Sequence, residues 1–265
     1  MERFNLGQGD LHRFTVEGHY RVDLGAFSLD LYFRPSAVRR CVIISPGFLS
    51  PTEFKYPYFQ RVKWLAQFEA VGISLADPTL QLSDKIGIGW FIGTRASHYL
   101  EVVAGFLARL LAHLGVPASS TLFFGSSAGG FASLGFAALI PGAKAFAVNP
   151  QTDIKRFHHV GELGSTLRAC LQSGDLEALT RAYDRRLSLL ALLHHTRHVP
   201  EMVIWQNIHD KWHYSLHVLP FLEGLAAFPA VHDVKLIIAA RPDLGHNPPA
   251  LPELRAEFDM LLRGL

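Results

Sequence analysis

Apolar positions along this chain follow two alternating rhythms. Short runs of β-branched and aromatic residues, each ended by a Gly, Pro or Asp signal, are separated by longer stretches with helical spacing. Residues 20–33 alternate apolar and polar side chains, as a pair of edge strands joined near Gly25 would. Cys41-Val42-Ile43-Ile44 is a continuous apolar run stopped by Ser45-Pro46-Gly47, the pattern of a strand covered on both faces. A helical pattern at 58–70 leads to a strand at 72–76, and a long helix is expected at 95–114. The pattern then predicts strands at 122–124, 143–148, 202–206 and 234–239, with helices at 131–139 and 252–262.

Strand and helix in this repeated order imply an α/β architecture: a mostly parallel sheet with helices on both faces. One interval departs from it. Residues 154–198 carry several helical patterns and no strand. An insertion there would lie over the carboxyl edge of the sheet, where open α/β sheets bind their ligands. No repeat, low-complexity tract or linker divides the chain, so 1–265 is expected to form one domain with a helical lid at about 154–198. The run Leu187-Ser188-Leu189-Leu190-Ala191-Leu192-Leu193 would line a pocket beneath that lid, packing onto the body being the other use for it.

Composition narrows the class. With 265 residues, 49% hydrophobic and 18% charged, the chain can bury a large core and is neither disordered nor fibrous. A formal charge of +2 with no long basic run disfavours nucleic acid as a partner, although the 14 histidines would make the protein cationic at mildly acidic pH. Charges in MERFNLGQGDLHRF occupy the place of a signal peptide's apolar stretch, and the uncharged interval 110–143 is interrupted by His113, Pro117 and Pro141. No membrane span and a cytoplasmic location are the expectations, with Cys41 and Cys170 as free thiols.

The candidate chemistry begins at 122–124, which runs into Gly125-Ser126-Ser127-Ala128-Gly129-Gly130 and then a small-residue helix. This fits G-x-S-x-G, a strand-to-helix elbow that lifts a serine above the sheet edge, and only Ser127 has Gly at both required offsets. Serine needs a base and an orienting acid, which in an elbow of this kind follow in the order acid, then His. His246 lies in the loop after the last strand, Arg241-Pro242-Asp243-Leu244-Gly245-His246, where the base belongs. Asp210 follows the preceding strand and is the first choice for the acid, where it could also cap a helix from Lys211. Asp243 shares the histidine's own loop, and Asp233 precedes its strand at the wrong edge. The oxyanion hole would take the amides of Ala128, the residue after the nucleophile, and of Phe48 in the Ser45-Pro46-Gly47-Phe48 turn.

These residues resemble the α/β-hydrolase superfamily, and the resemblance covers residues 20–262. Gly125-Ser126-Ser127-Ala128-Gly129-Gly130 together with Asn149-Pro150-Gln151-Thr152-Asp153 resembles a narrower group: bacterial proteins found beside surface-polysaccharide genes, similar to the acetyltransferase-like subunit of the accessory secretion system. The resemblance implies the α/β-hydrolase fold and a serine hydrolase, an esterase or deacylase acting on a small-molecule or glycan ester. An acyltransferase, with a sugar hydroxyl in place of water in surface-glycan biosynthesis, is the alternative. A non-catalytic binding protein on the same scaffold is a third reading, which an intact Ser, acid and His in chain order argues against. Pro46 stands where many esterases carry a His, and the multi-Gly loop suited to bulky or tertiary-alcohol esters is missing.

Other groupings are weaker. His209, His213 and His217 recur every four residues, but nothing nearby completes a ligand set, so no metal is expected. His194, His195 and His198 are placed at the C-terminal end of the 187–193 helix. Trp90, Phe91, Trp205 and Trp212 read as core or pocket wall rather than a sugar-stacking platform. No Rossmann or P-loop fingerprint is present, so no nucleotide cofactor is expected.

Overall fold

The structure is a computed structural model describing residues 3–228 and 233–263; positions 1–2, 229–232 and 264–265 of the expected domain lie outside the described residues. Its strands are β1 (Arg3–Gly7), β2 (Gly18–Asp23), β3 (Ser28–Arg34), β4 (Cys41–Ile44), β5 (Val71–Leu75), β6 (Thr121–Ser126), β7 (Lys144–Val148), β8 (Met202–Asn207) and β9 (Val234–Ala239). They form one nine-stranded sheet in the order β1-β2-β3-β5-β4-β6-β7-β8-β9. From β5 through β9 all neighbours are parallel, while β3 runs antiparallel to both β2 and β5.

The helices are α1 (Tyr99–His113), α2 (Ala128–Leu139), α3 (Val160–Leu171), α4 (Leu176–Leu187), α5 (Leu189–Thr196), α6 (Lys211–His213), α7 (Leu219–Leu225) and α8 (Leu251–Arg263), with a π turn joining α6 to α7. Alternation along the buried strands divides the core. Cys41, Ile43 and Phe123 face the layer that holds α1, α2, α5 and α7, whereas Val42, Ile44, Leu122 and Phe124 face α8 through Leu254, Phe258 and Leu261. A strand covered on both sides has no polar face to show, which is why these runs are continuously apolar. Among the described residues no helix is long and apolar enough to cross a membrane.

Four details differ from the sequence expectation. The hairpin at 20–33 forms, but β1 pairs along β2 and takes the edge. The helix expected at 58–70 is only a 3-10 segment, Val62–Gln67, because Arg61 stands before it in the left-handed region (φ 54°). Leu65 and Phe68 still reach the core from that segment. The long helix starts at Tyr99, after a tight Thr94–Ser97 turn. The 187–193 run is split at Ser188, which ends α4, caps α5 through its hydroxyl and bridges to Asp153.

That split decides where the leucines go. Leu187, Leu189, Leu192 and Leu193 are buried in the main core, and Leu189 and Leu192 lie where a side chain on Gly135 of α2 would meet them. They pack onto the body, and none of them is among the described residues lining the Ser127 cavity, so packing rather than the pocket is the use they are put to. Leu192→Ala should therefore lower unfolding free energy by about 2–5 kcal/mol in a urea titration. The acyl-chain preference should stay unchanged; a shifted preference would return these side chains to the pocket.

Candidate active site

The elbow shows why its sequence needs glycine on both sides. Ser127 has φ 55° and ψ −122°, a strained conformation for a residue with a side chain. A Cβ on Gly125 would lie 2.2 Å from the Gly129 carbonyl oxygen, and one on Gly129 would lie 2.5 Å from that of Ser45. The strained residue is pinned from several directions. Its N–H donates to Val148 O at 3.1 Å, and its carbonyl accepts from Gly130 (3.0 Å), Phe131 (3.2 Å) and Gln151 (3.2 Å). Neighbouring Ser126 is otherwise engaged, its hydroxyl accepting from Arg61 at 2.8 Å.

Ser127, Asp210 and His246 line one cavity of about 290 Å³. They come from the carboxyl ends of β6, β8 and β9, the edge to which a parallel sheet delivers its loops. His246 Nδ1 lies 2.5 Å from Asp210 Oδ2, with Asp210 buried and the imidazole 45% exposed. Two asparagines hold the histidine loop. Asn149 Nδ2 donates to His246 O (3.0 Å), and Asn207 Nδ2 donates to the carbonyls of Arg241 (2.6 Å) and Gly245 (2.9 Å). Ser127 Oγ makes no hydrogen bond among the described residues; such bonds commonly tighten only when substrate binds.

The rival acids are placed elsewhere. Asp243 is exposed and paired with Arg241 at 3.0 and 2.8 Å. Asp233 sits at the amino end of the sheet, where its carbonyl accepts from Met202. Asp210 also caps α6, as anticipated, by accepting from His213 N.

The Ser45–Leu49 turn is equally legible bond by bond. Ser45 N donates to Phe124 O, Gly47 N to Gln60 Oε1 and Leu49 N to Gly87 O, while Pro46 has no N–H. Phe48 is left with the one amide in this turn that meets no acceptor among the described residues. Ala128, at the first position of α2, has an N–H with no partner available inside its helix.

The sequence did not reveal a second histidine on the acid. His213 Nδ1 lies 3.0 Å from Asp210 Oδ1, and its ring stacks on that of His246 at 4.0 Å between centroids, tilted 21°. Burial pushes the Asp210 carboxyl upward, but the hydrogen bonds from His213 and His246 outweigh it and hold the group below the usual carboxylate range. Of the 209, 213, 217 spacing only part is realised: the His213 and His217 rings lie 5.4 Å apart, His217 Nδ1 accepts from Thr152 N at 3.3 Å, and His209 stays outside the cavity. Ligand-type atoms of Asp210, His213 and His246 lie within 4.8 Å of one another, each imidazole Nδ1 being within hydrogen-bond distance of an Asp210 oxygen.

Only the start of the inserted segment reaches the cavity, through Phe157, His158, His159 and Glu162. Of the four aromatics weighed from sequence, Trp90, Phe91 and Trp205 are buried. Trp212 is 57% exposed at the cavity wall, its indole parallel to the His158 ring. His194 and His195 fall in the last turn of α5, and His198 lies beyond it.

Burial lowers the proton affinity of His98, His213 and His217, the last to about 3. Rings that stay neutral in the fold take up protons on unfolding. Their stabilisation is complete above the unfolded histidine value of about 6.5 and is lost as pH falls below it, at up to about 1.4 kcal/mol per pH unit for each ring. Unfolding free energies from urea titrations should therefore fall steadily from pH 7 to pH 5. The buried Asp77 carboxyl, pushed up to about 6, opposes this fall over part of the range, so a value flat from pH 7 to pH 5 in an Asp77→Asn variant is the result that would count against neutral rings.

Comparison with solved structures identifies the architecture. The capsule O-acetyltransferase of Neisseria meningitidis serogroup A superposes with a TM-score of 0.66 at 14% identity, over 92% of this chain and 93% of that one. A putative carboxylesterase from Lactobacillus plantarum gives 0.59 at 11% identity, covering 94% and 98% of the two chains. An S-formylglutathione hydrolase from Agrobacterium tumefaciens gives 0.59 at 18%, covering 90% of each. No family model matches the sequence, and no curated protein matches it by sequence. The fold is the α/β-hydrolase fold.

Proposed function

We propose that the protein is a serine hydrolase of the carboxylic-ester hydrolase type, an esterase or deacylase working through an acyl-enzyme on Ser127. The observation that carries this reading is the strained Ser127 elbow sharing a cavity with the 2.5 Å Asp210–His246 pair. Such strain persists only where the surrounding structure enforces it, and it concentrates at functional sites.

In this mechanism His246 Nε2 takes the proton of Ser127 as Oγ attacks the ester carbonyl. Asp210 accepts from Nδ1, which keeps Nε2 as the free base and stabilises the imidazolium that forms. The Phe48 and Ala128 amides, which meet no other acceptor among the described residues, donate to the developing oxyanion, the stabilisation on which acyl transfer most depends. The proton passes to the leaving alcohol as the tetrahedral intermediate collapses. Water, deprotonated by the same His246, then attacks the acyl carbonyl, and Ser127 leaves with the proton. No cofactor enters these steps. Two free, buried cysteines fit a cytoplasmic setting, which belongs to the same proposal.

A second reading, acyl transfer to a sugar hydroxyl, is favoured by the exposed Trp212 indole at the cavity wall, since an aromatic face can stack on a sugar ring. The likeness to a capsule O-acetyltransferase, one structure of which holds CoA, points the same way. A panel of p-nitrophenyl esters separates the two. Steady turnover without acceptor, with acetyl and butyryl esters ahead of octanoyl as a cavity at the small end of ligand sites requires, is the expected result. Turnover that appears only when a glycan acceptor is added would establish the transferase instead.

A further inference from the structure

Among the polar side chains lining the cavity that the mechanism above does not use, His213 is the one in contact with Asp210. His213 is buried behind His246, and its two ring nitrogens have different partners: Asp210 Oδ1 at 3.0 Å from Nδ1 and Gln151 Nε2 at 3.3 Å from Nε2. Gln151 is buried as well, and its Oε1 meets the indole nitrogen of buried Trp90 at 2.5 Å. An indole N–H can only donate. The Gln151 amide must therefore turn its oxygen to Trp90 and its NH2 to His213. A donor facing His213 Nε2 requires a lone pair there, so the proton of the neutral ring sits on Nδ1. That proton points at Asp210.

We propose that His213 is a positioning residue: the chain Trp90–Gln151–His213 fixes its tautomer so that it donates one hydrogen bond to Asp210 Oδ1, leaving Oδ2 for His246. The consequence is geometric. A carboxylate held by a single histidine can rotate about its Cβ–Cγ bond, whereas one held at both oxygens cannot. Oδ1 receives a further donor, His213 N at 3.4 Å, from the first turn of α6. The imidazole of His246 in turn lies against a ring that is itself immobilised, 4.0 Å away. Neither the exposed loop that carries His246 nor the two asparagines that tether it could supply this restraint, because they act on its backbone. The segment Asn149–Asp153 thereby serves the site twice, through Asn149 on the histidine loop and Gln151 on the acid's second partner.

The inference rests on the serine-hydrolase reading, and the test separates the two. His213→Phe keeps an aromatic ring, slightly larger than imidazole, but removes the donor, whereas His213→Asn retains an N–H near the position of Nδ1. Losing a buried hydrogen bond to a charged group should lower kcat about 10- to 100-fold in His213→Phe. KM should change far less, and His213→Asn should recover most of the rate. Because His213 acts through Asp210, the change should cost little more in an Asp210→Asn background. Gln151→Met, which disturbs the tautomer without touching His213, should reproduce the kcat loss in part and serves if His213→Phe does not fold. Undiminished kcat in these variants, equal losses in the Phe and Asn variants, or losses that add fully to that of Asp210→Asn would overturn the inference while the hydrolase reading stands. A wild-type protein that neither turns over esters nor reacts with a fluorophosphonate would instead remove the reading on which it rests.

Discussion

Ser127→Ala is expected to lower ester turnover by about 10⁴-fold or more and to abolish labelling by a serine-directed fluorophosphonate. Ser126→Ala should keep both activities, since the Ser126 hydroxyl is committed to Arg61. The melting temperature of Ser127→Ala should barely change. The lost hydroxyl makes no hydrogen bond among the described residues, and alanine keeps the Cβ that makes φ 55° costly. Ser127→Gly separates catalysis from strain. Glycine adopts this conformation freely, so it should be as inactive as alanine yet more stable by about 1 kcal/mol or more. Equal stabilities for the Gly and Ala variants would show that the elbow holds little strain. Fluorophosphonate on Ser126 would move the nucleophile by one residue.

Most of the sheet and the three residues of the candidate triad were legible because each leaves a local trace. Buried parallel strands such as β6 and β8 read as apolar runs with Ser127 and Asp210 close behind them, whereas His246 was found by its place in the loop after the half-exposed last strand β9. The glycine pair around Ser127 is dictated by contacts within five residues of chain or with the adjacent strand loop, so a short motif captures it. What escaped the sequence depends on partners far along the chain. β1 is short and mostly exposed, with a single fully buried residue, and carries too little alternation to be seen. The 58–70 segment has helical spacing, but Arg61 turns left-handed and reaches Ser126, 65 positions away. The leucines of 187–193 are apolar enough for a pocket or a core, and only the placement of α5 against α2 decides between them. His213 stood out by its spacing from His209 and His217, yet spacing cannot tell which nitrogen is paired or with what. Gln151, which meets its Nε2, and Trp90, which meets Gln151 in turn, lie on separate loops, and the Asn149–Asp153 segment was a local hint of the first alone.

Asp210→Asn tests the acid and, through it, the arrangement around it. An amide offers one oxygen and one NH2, whereas in the proposed arrangement both His213 and His246 direct an Nδ1–H at this side chain, each Nδ1 lying within 3.0 Å of an Asp210 oxygen. Asparagine can accept from only one of them. The other ring must move its proton to Nε2 to receive the amide's donor. His213 resists that change, because its Nε2 faces the Gln151 NH2, which the donor-only indole of Trp90 holds in orientation. The change therefore falls on His246, whose Nε2 becomes protonated and can no longer take the proton from Ser127. The loss in kcat should be about 10⁴-fold, the scale seen when an orienting aspartate is replaced and the histidine is left in the wrong tautomer. Asp243→Asn breaks only an exposed pair with Arg241 and should leave turnover close to that of the wild type. Steady-state kinetics on the two variants decide the matter: a large loss on Asp243→Asn with a small one on Asp210→Asn would transfer the acid to the histidine's own loop. The same measurement in a Gln151→Met background adds a sharper test. Once Gln151 no longer fixes His213, the tautomeric change can fall on either ring, and Asp210→Asn should then cost less relative to its own parent than it does in the wild type.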